Sequence, residues 1–135
     1  MISHLLDTCA FLDLISDKWK NPEAIEAFQS SRNPAMLSVS IWEIARKQRK
    51  GRLTLPCSAE NLLHFAKEVC MHYRIELVDL DAETCWRSEQ LPPHHEDPFD
   101  RMILARASAQ NCPVFTCDRR FKAYDVPVLW VRDPI

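Results

Sequence analysis

Short apolar runs alternate with amphipathic helical patterns along the chain, and this alternation limits the folds that are open to it. The apolar runs predict strands ending at Leu6 and covering residues 35–39, 75–80, 114–116 and 128–131. Strands that alternate with helices pair in parallel, and the helices then cover both faces of the sheet. The pattern therefore predicts an α/β fold: a three-layer α/β/α sandwich with a central, mostly parallel five-stranded sheet.

Helix boundaries are marked by capping residues and by prolines. Pro22 opens a predicted helix over residues 22–29, and Asp97 with Pro98 opens one over residues 97–110. Ser40 is predicted to open a helix that Gly51 ends, and Ser58 a longer one. Helices are also predicted over residues 81–90 and 119–124, whereas the prolines in residues 91–95 indicate a loop.

Length and composition restrict the function. The 135 residues suit a single domain covering residues 1–135, and 47% hydrophobic residues provide for a substantial core. Gly51 is the one glycine, so a Walker loop or a dinucleotide-binding turn, which needs several glycines, is excluded. The net charge of −2 shows that any nucleic-acid contact depends on local positive charge.

The cysteine pattern indicates the cellular compartment. None of the six cysteines forms a Cys-x-x-Cys pair, and most lie in apolar stretches. They are therefore predicted to be reduced core thiols, which favours a cytoplasmic location. No signal segment and no apolar run of membrane-spanning length is visible, so no membrane partner is predicted.

Acidic residues follow the predicted strands at one edge of the sheet. Asp7 ends the first strand, Asp118 follows the fourth, and Glu43 and Asp100 lie in the first turns of helices that begin at this edge. Parallel α/β sheets bind ligands beyond the carboxyl ends of their strands. Four carboxylates in one cleft need a compensating cation, and oxygen ligands suit Mg²⁺ or Mn²⁺. The sequence thus predicts a metal site that hydrolyses a phosphodiester in line.

Each acid also has a purely structural interpretation. Ser40 and Glu43 have the spacing of a capping box, Asp100 lies where the helix dipole favours an acid, and Asp118 suits a turn. Asp7 gains least from such a role, because it directly follows an apolar strand. The four acids together favour the metal site.

Four motifs, in order along nearly the whole chain, resemble those of the PIN-domain nucleases. They are Leu-Leu-Asp-Thr at residues 5–8, Ser-Ile-Trp-Glu-Ile-Ala at 40–45, His-Glu-Asp-Pro-Phe-Asp-Arg followed by an apolar helix at 95–105, and Thr-Cys-Asp at 116–118. Residues 51–56 extend the second motif, and Leu91-Pro92 precedes the third. Cys9 departs from the residue that the subgroup often carries there.

This resemblance implies a VapC-like ribonuclease toxin of a type II toxin–antitoxin system. The acids matching Asp7, Glu43, Asp100 and Asp118 would bind Mg²⁺ or Mn²⁺ and position the hydrolytic water. Asp97, Thr8 and Thr116 match auxiliary positions, with Asp97 assigned mainly to helix capping. The resemblance further implies an RNA substrate, a cognate antitoxin protein and a homodimer.

Several basic and aromatic residues are candidates for RNA contacts. Arg101, Arg119 and Arg120 lie beside the predicted cleft and are possible phosphate contacts, whereas the basic cluster within residues 46–52 is more simply a solvated helix end. His94 and His95 could assist the site, although a histidine in such a loop more often bonds to backbone or solvent.

Two alternatives remain open: a Mg²⁺-binding signalling domain with an acidic pocket, and a catalytically inactive PIN-like binding module.

Overall fold

The computed structural model describes residues 1–135 and contains five strands and six α-helices. The strands are β1 His4–Leu6, β2 Pro34–Leu37, β3 Glu76–Val78, β4 Val114–Thr116 and β5 Val128–Trp130. The helices are α1 Thr8–Ile15, α2 Pro22–Ser30, α3 Val39–Arg49, α4 Leu62–Tyr73, α5 Ala82–Gln90 and α6 Pro98–Gln110. Short 3-10 helices cover Ala59–Asn61 and Arg119–Ala123.

All five strands pair in parallel in one sheet, in the order β3-β2-β1-β4-β5. Neighbouring residues of each strand pack into different cores. Leu5 and Val114 pack with Ile103 of α6, whereas Leu6 and Phe115 pack with residues of α1, α2 and α4. This two-sided core confirms the predicted α/β fold. Each large apolar side chain buried in it contributes about 1.5–3 kcal/mol to stability.

Helix α1 is an element that the sequence patterns did not predict. Thr8–Ile15 follows β1 after a single residue, and its apolar side chains continue the apolar run of the strand. Neither a period of two nor an apolar stripe separates the two elements. Asp7 separates them, because its Oδ1 accepts a hydrogen bond from the Ala10 amide at 2.7 Å and caps the helix.

Helix α3 begins one residue earlier than predicted. It starts at Val39, so Ser40 and Glu43 lie inside the helix and do not form a capping box. The Ser40 hydroxyl instead accepts a hydrogen bond from Thr8 Oγ1 at 2.9 Å. The predicted end is confirmed: Lys50 is the C-cap, and Gly51 follows with φ 70°, a conformation that favours glycine. None of the helices is long and apolar enough to cross a membrane.

Candidate metal centre

The sheet order creates a cleft at the carboxyl end of β1. From β1 the chain builds β2 and β3 on one side, and it later places β4 and β5 on the other. Such a reversal of strand order is where α/β sheets bind ligands. Asp7 directly follows β1, and Asp118 follows β4 by two residues. Two of the four predicted acids therefore lie on neighbouring strands at the point of reversal.

The cleft is a cavity of about 550 Å³ that all four predicted acids line. Its charged side chains fall into two groups. The acids are Asp7, Asp13, Glu43, Asp97, Asp100 and Asp118, and the bases are Lys18, Lys47, Arg120 and Arg132. Lys47 pairs with Glu43, Arg120 pairs with Asp118, and Arg132 pairs with Asp13. No lysine or arginine pairs with Asp7, Asp97 or Asp100, so these three carboxyls lack a basic counter-ion in the cavity.

Asp7 is fixed by two hydrogen bonds and is 1% exposed. The Ala10 amide donates to its Oδ1, and the Thr116 hydroxyl donates to its Oδ2. Burial raises the pKa of Asp7 to about 7 against the two hydrogen bonds, and the charges of Asp118 and Glu43 raise it further. Asp7 thus also caps α1, a structural role that its position directly after an apolar strand did not indicate.

Glu43 presents one carboxylate oxygen with no partner. The side chain is buried, and its Oε2 lies 2.9 Å from Lys47 Nζ one turn along α3. Its Oε1 is buried without any hydrogen bond. An unpaired buried carboxylate oxygen is costly, so this atom calls for a cation or a bound water.

Asp100 and Asp118 differ in charge environment although both face His95. Burial raises the pKa of Asp100 to about 9, and the charges of Asp7, Asp97, Glu43 and Asp118 add to the effect. Burial also acts on Asp118, but hydrogen bonds from Arg120 and its positive charge outweigh it, so the pKa of Asp118 is lowered. Arg120 Nε lies 3.1 Å from Asp118 Oδ1, and Arg120 Nη2 lies 3.0 Å from Asp118 Oδ2.

The auxiliary residues surround these acids. Asp97 caps α6, since its Oδ1 accepts hydrogen bonds from the amides of Phe99 at 2.9 Å and Asp100 at 3.4 Å, and it also lines the cavity. Thr116 joins the two strands: its Oγ1 donates to Asp7 and accepts from the Asp118 amide at 2.9 Å. Thr8 lines the cavity and bonds to Ser40, as described above.

Arg101 corrects one sequence-based assignment. It is 9% exposed, and its guanidinium donates to the carbonyl oxygens of Ser88, Leu91, Pro92 and His95 at 2.7–3.0 Å. These bonds hold the loop that precedes α6, so Arg101 is not available to bind phosphate. Arg120 lines the cavity, whereas the exposed Arg119 does not.

His95 is the site residue that sequence reasoning undervalued. Its side chain is fully buried, and Nε2 lies 2.9 Å from Asp100 Oδ2 and 3.2 Å from Asp118 Oδ2. A histidine in a proline-flanked loop gives no local signal of burial. Its position five residues before Asp100, inside the third motif, was the one available indication.

The cysteines differ from the prediction of reduced thiols. Cys9 and Cys117 form a disulfide, and the other four cysteines are free. The bridge joins the residue after Thr8 to the residue before Asp118, so it ties together the two segments that carry Asp7 and Asp118. Local sequence patterns do not reveal this pair, because the two cysteines are 108 positions apart in sequence and meet only in the folded chain.

The donor set fits a hard divalent cation. Every cavity-facing acid named above offers oxygen, one buried oxygen of Glu43 is unpartnered, and Asp7 and Asp100 have pKa values raised by burial and by neighbouring carboxylates. A divalent cation would bind to these oxygens, would give the Glu43 oxygen a partner and would stabilise the ionised forms of Asp7 and Asp100. Asp7, Glu43, Asp100 and Asp118 are the residues that would hold it.

Comparisons with known proteins concern the family and the fold of the chain. The sequence profile of the PIN domain matches residues 4–127. The fold resembles a toxin–antitoxin complex from Klebsiella pneumoniae, with TM-score 0.64, 19% identity and coverage of 97% of this chain and 99% of that one. It also resembles DNA-bound VapBC from Salmonella typhimurium, with TM-score 0.69, 21% identity and coverage of 96% and 98%.

A third similar structure is PAE2754 from Pyrobaculum aerophilum, with TM-score 0.61, 15% identity and coverage of 94% of this chain and 83% of that one. At these identities the likeness concerns the fold. No curated protein sequence matches the chain.

Proposed function

The chain belongs to the PIN-domain family, and from that membership we propose that it is a metal-dependent endoribonuclease formed by residues 1–135. PIN domains are generally nucleases. The observation that carries the proposal is the cavity at the end of β1 and β4. There Asp7, Glu43, Asp100 and Asp118 converge, and only Glu43 and Asp118 are paired with a lysine or an arginine.

We propose that these four acids bind Mg²⁺ or Mn²⁺. The ion would activate a water molecule and stabilise the charge that develops on the phosphodiester during in-line displacement. The chain prepares the site in three ways. Thr116 and the Ala10 amide fix both oxygens of Asp7, α3 places Glu43 with one oxygen free, and the Asp97 cap starts α6 so that Asp100 faces the cavity.

RNA is the proposed substrate, with Arg120 as the first phosphate contact. Arg120 lines the cavity and is 62% exposed, so its guanidinium can leave Asp118 for a phosphate. Arg119 would contact the RNA backbone farther from the cavity. The overall charge of −2 means that this contact depends on a few local cations.

The biological role that we propose is the toxin of a toxin–antitoxin pair. Similar folds occur in toxin–antitoxin complexes from Klebsiella pneumoniae and Mycobacterium tuberculosis. The proposed partners are a cognate antitoxin and a second copy of the chain, and the proposed location is the cytoplasm. The Cys9–Cys117 disulfide is the observation that argues against that location, because cytosolic thiols are normally kept reduced.

The direct test is RNA cleavage by the purified protein with Mn²⁺. We expect cleavage that a chelator stops and that Asp7→Asn and Asp100→Asn both remove. Asp79→Asn is the matched control, because Asp79 also follows a strand at the same edge of the sheet but is exposed and does not line the cavity.

Unchanged cleavage by both cavity variants would refute the proposed site. If the folded wild-type protein bound Mn²⁺ without cleaving RNA or DNA, the chain would be a binding module with a PIN fold.

A further inference from the structure

His95 lies between two of the proposed metal ligands but is not itself one of the acids. Asp100 comes from α6 and Asp118 from the segment after β4, and the His95 ring faces an oxygen of each. Nε2 and one oxygen from each carboxyl all lie within 4.8 Å of one another. A buried imidazole there either binds the metal or donates a hydrogen bond to the carboxylates.

The other ring nitrogen decides between these two roles. His95 Nδ1 accepts a hydrogen bond from the Asp97 backbone amide at 3.3 Å. An amide N–H can only donate, so Nδ1 must present its lone pair. The proton of the neutral ring is then on Nε2, which makes Nε2 a donor. A histidine that binds metal through Nε2 has the opposite arrangement, with Nδ1–H donating to an acceptor.

The backbone of His95 is anchored by hydrogen bonds at both its amide and its carbonyl. Its amide donates to Tyr124 Oη at 2.9 Å, and its carbonyl accepts from the Arg101 guanidinium at 3.0 Å. Tyr124 and Arg101 both also bond to the Pro92 carbonyl, and the ring packs edge-on against Phe121. The buried Arg101 thus fixes the loop from which the ring projects.

We propose that His95 is a positioning residue that shares its Nε2–H between Asp100 and Asp118. The shared proton holds one oxygen of each carboxyl toward the ring. What those carboxylates bind rests on the proposed function, but the hydrogen bond itself does not. The proposal assigns to His95 an outer-sphere role and to Arg101 the support of that role.

The first test uses the metal-free protein and ¹⁵N-labelled histidine. NMR should show His95 protonated at Nε2 and unprotonated at Nδ1, with an Hε2 proton protected from exchange. Asp100→Asn and Asp118→Asn should each shift that proton, because its acceptor changes from a carboxyl oxygen to an amide oxygen, whereas Asp79→Asn should not. Exposed His64 provides the reference signals. A proton on Nδ1 would overturn the proposal.

The second test is Mn²⁺ binding measured by calorimetry. His95→Phe keeps the ring but removes the donor, and we expect Mn²⁺ affinity to fall about 10–100-fold, as for other outer-sphere partners. His95→Gln can place an amide N–H near the position of Nε2, so it should recover most of the affinity. Equal affinity in wild type and His95→Phe would overturn the proposal, as would loss in Gln equal to that in Phe.

Electron spin-echo spectroscopy of bound Mn²⁺ separates the two roles directly. A ¹⁴N coupling typical of a coordinated imidazole, present in wild type and absent in His95→Phe, would make His95 a ligand and overturn the positioning role. If wild type bound no Mn²⁺ while the Nε2–H bond to both acids was present, the proposed nuclease function would fail and the bridging role of His95 would stand.

Discussion

Two kinds of carboxyl share the cavity, and they differ in whether a basic side chain stabilises the ionised form. Asp118 carries its own counter-ion, because Arg120 lies on both of its oxygens and lowers its pKa. Asp7 and Asp100 have no such partner, and burial raises their pKa values to about 7 and about 9. The folded chain therefore pairs Asp118 with a cation and leaves Asp7 and Asp100 poorly stabilised as anions.

This difference indicates which acids lower the stability of the folded chain and are therefore candidates for binding a ligand. An acid that is buried without a cation opposes folding as soon as it ionises. Such a group is retained when something outside the chain compensates it, and perturbed carboxyls in a cleft are candidates for function. Asp7 and Asp100 thus report on the proposed cation more directly than Asp118 does.

The largest expected effect separates activity from stability. Asp100→Asn and Asp118→Asn should each lower RNA cleavage by about three orders of magnitude or more, because metal chemistry contributes several kcal/mol to the transition state. In the metal-free protein their effects on Tm should be opposite. Asp100→Asn removes a repelled acid and should raise Tm, whereas Asp118→Asn breaks an ion pair and should lower it slightly. Equal changes in Tm would contradict the comparison.

The Cys9–Cys117 disulfide should stabilise the folded chain, because it links the segment that carries Asp7 to the segment that carries Asp118. Reducing Cys9–Cys117 with a dithiol should lower the free energy of unfolding by about 2–4 kcal/mol, since the bridge closes a long loop in the unfolded chain. Urea unfolding with and without reductant measures this. The Cys9→Ser/Cys117→Ser variant is the control and should be insensitive to reductant. No difference between the two states of the wild type would show that the bridge does not constrain the chain.

Metal addition should stabilise the protein through the unpaired acids. Mn²⁺ at 100 times its dissociation constant should add about 2.7 kcal/mol to the free energy of unfolding, and a chelator should reverse the gain. Thermal unfolding with and without Mn²⁺ measures the shift. Asp100→Asn should lose most of it and Asp79→Asn none. A shift that survives in Asp100→Asn would place the ion elsewhere.

The pH dependence of the metal-free protein should have the sign set by Asp7 and Asp100. Their folded pKa values lie above the ordinary 3.8, so their contribution to stability is full below pH about 4 and is lost as pH rises through about 7 and about 9. Each group can change stability by at most about 1.4 kcal/mol per pH unit. Urea unfolding in chelator should show wild type losing stability relative to Asp100→Asn as pH rises. A constant difference would mean that the Asp100 carboxyl titrates normally.

The sequence predicted those features that local chemistry determines. The strand order along the chain, the Pro-initiated helices and the acids at strand ends follow from residue patterns. The features that it missed depend on tertiary contacts. Helix α1 is set by the Asp7 cap, Arg101 is buried by loop carbonyls that no pattern reveals, and His95 acquires its role only when α6 and the segment after β4 meet. The Cys9–Cys117 pair likewise forms only in the folded sheet.

The smallest expected effect concerns the counter-ion of Asp118. Arg120→Ala removes a cation from the cavity, so Mn²⁺ should bind slightly more tightly, by about 1 kcal/mol or less because the guanidinium is largely solvent-exposed. RNA should bind more weakly, with a shallower dependence on salt, if Arg120 contacts phosphate. For Mn²⁺ binding, Arg119→Ala is the matched control, since Arg119 is the exposed neighbour that does not line the cavity. Weaker Mn²⁺ binding in Arg120→Ala would show that Arg120 supports the site instead of competing with the ion.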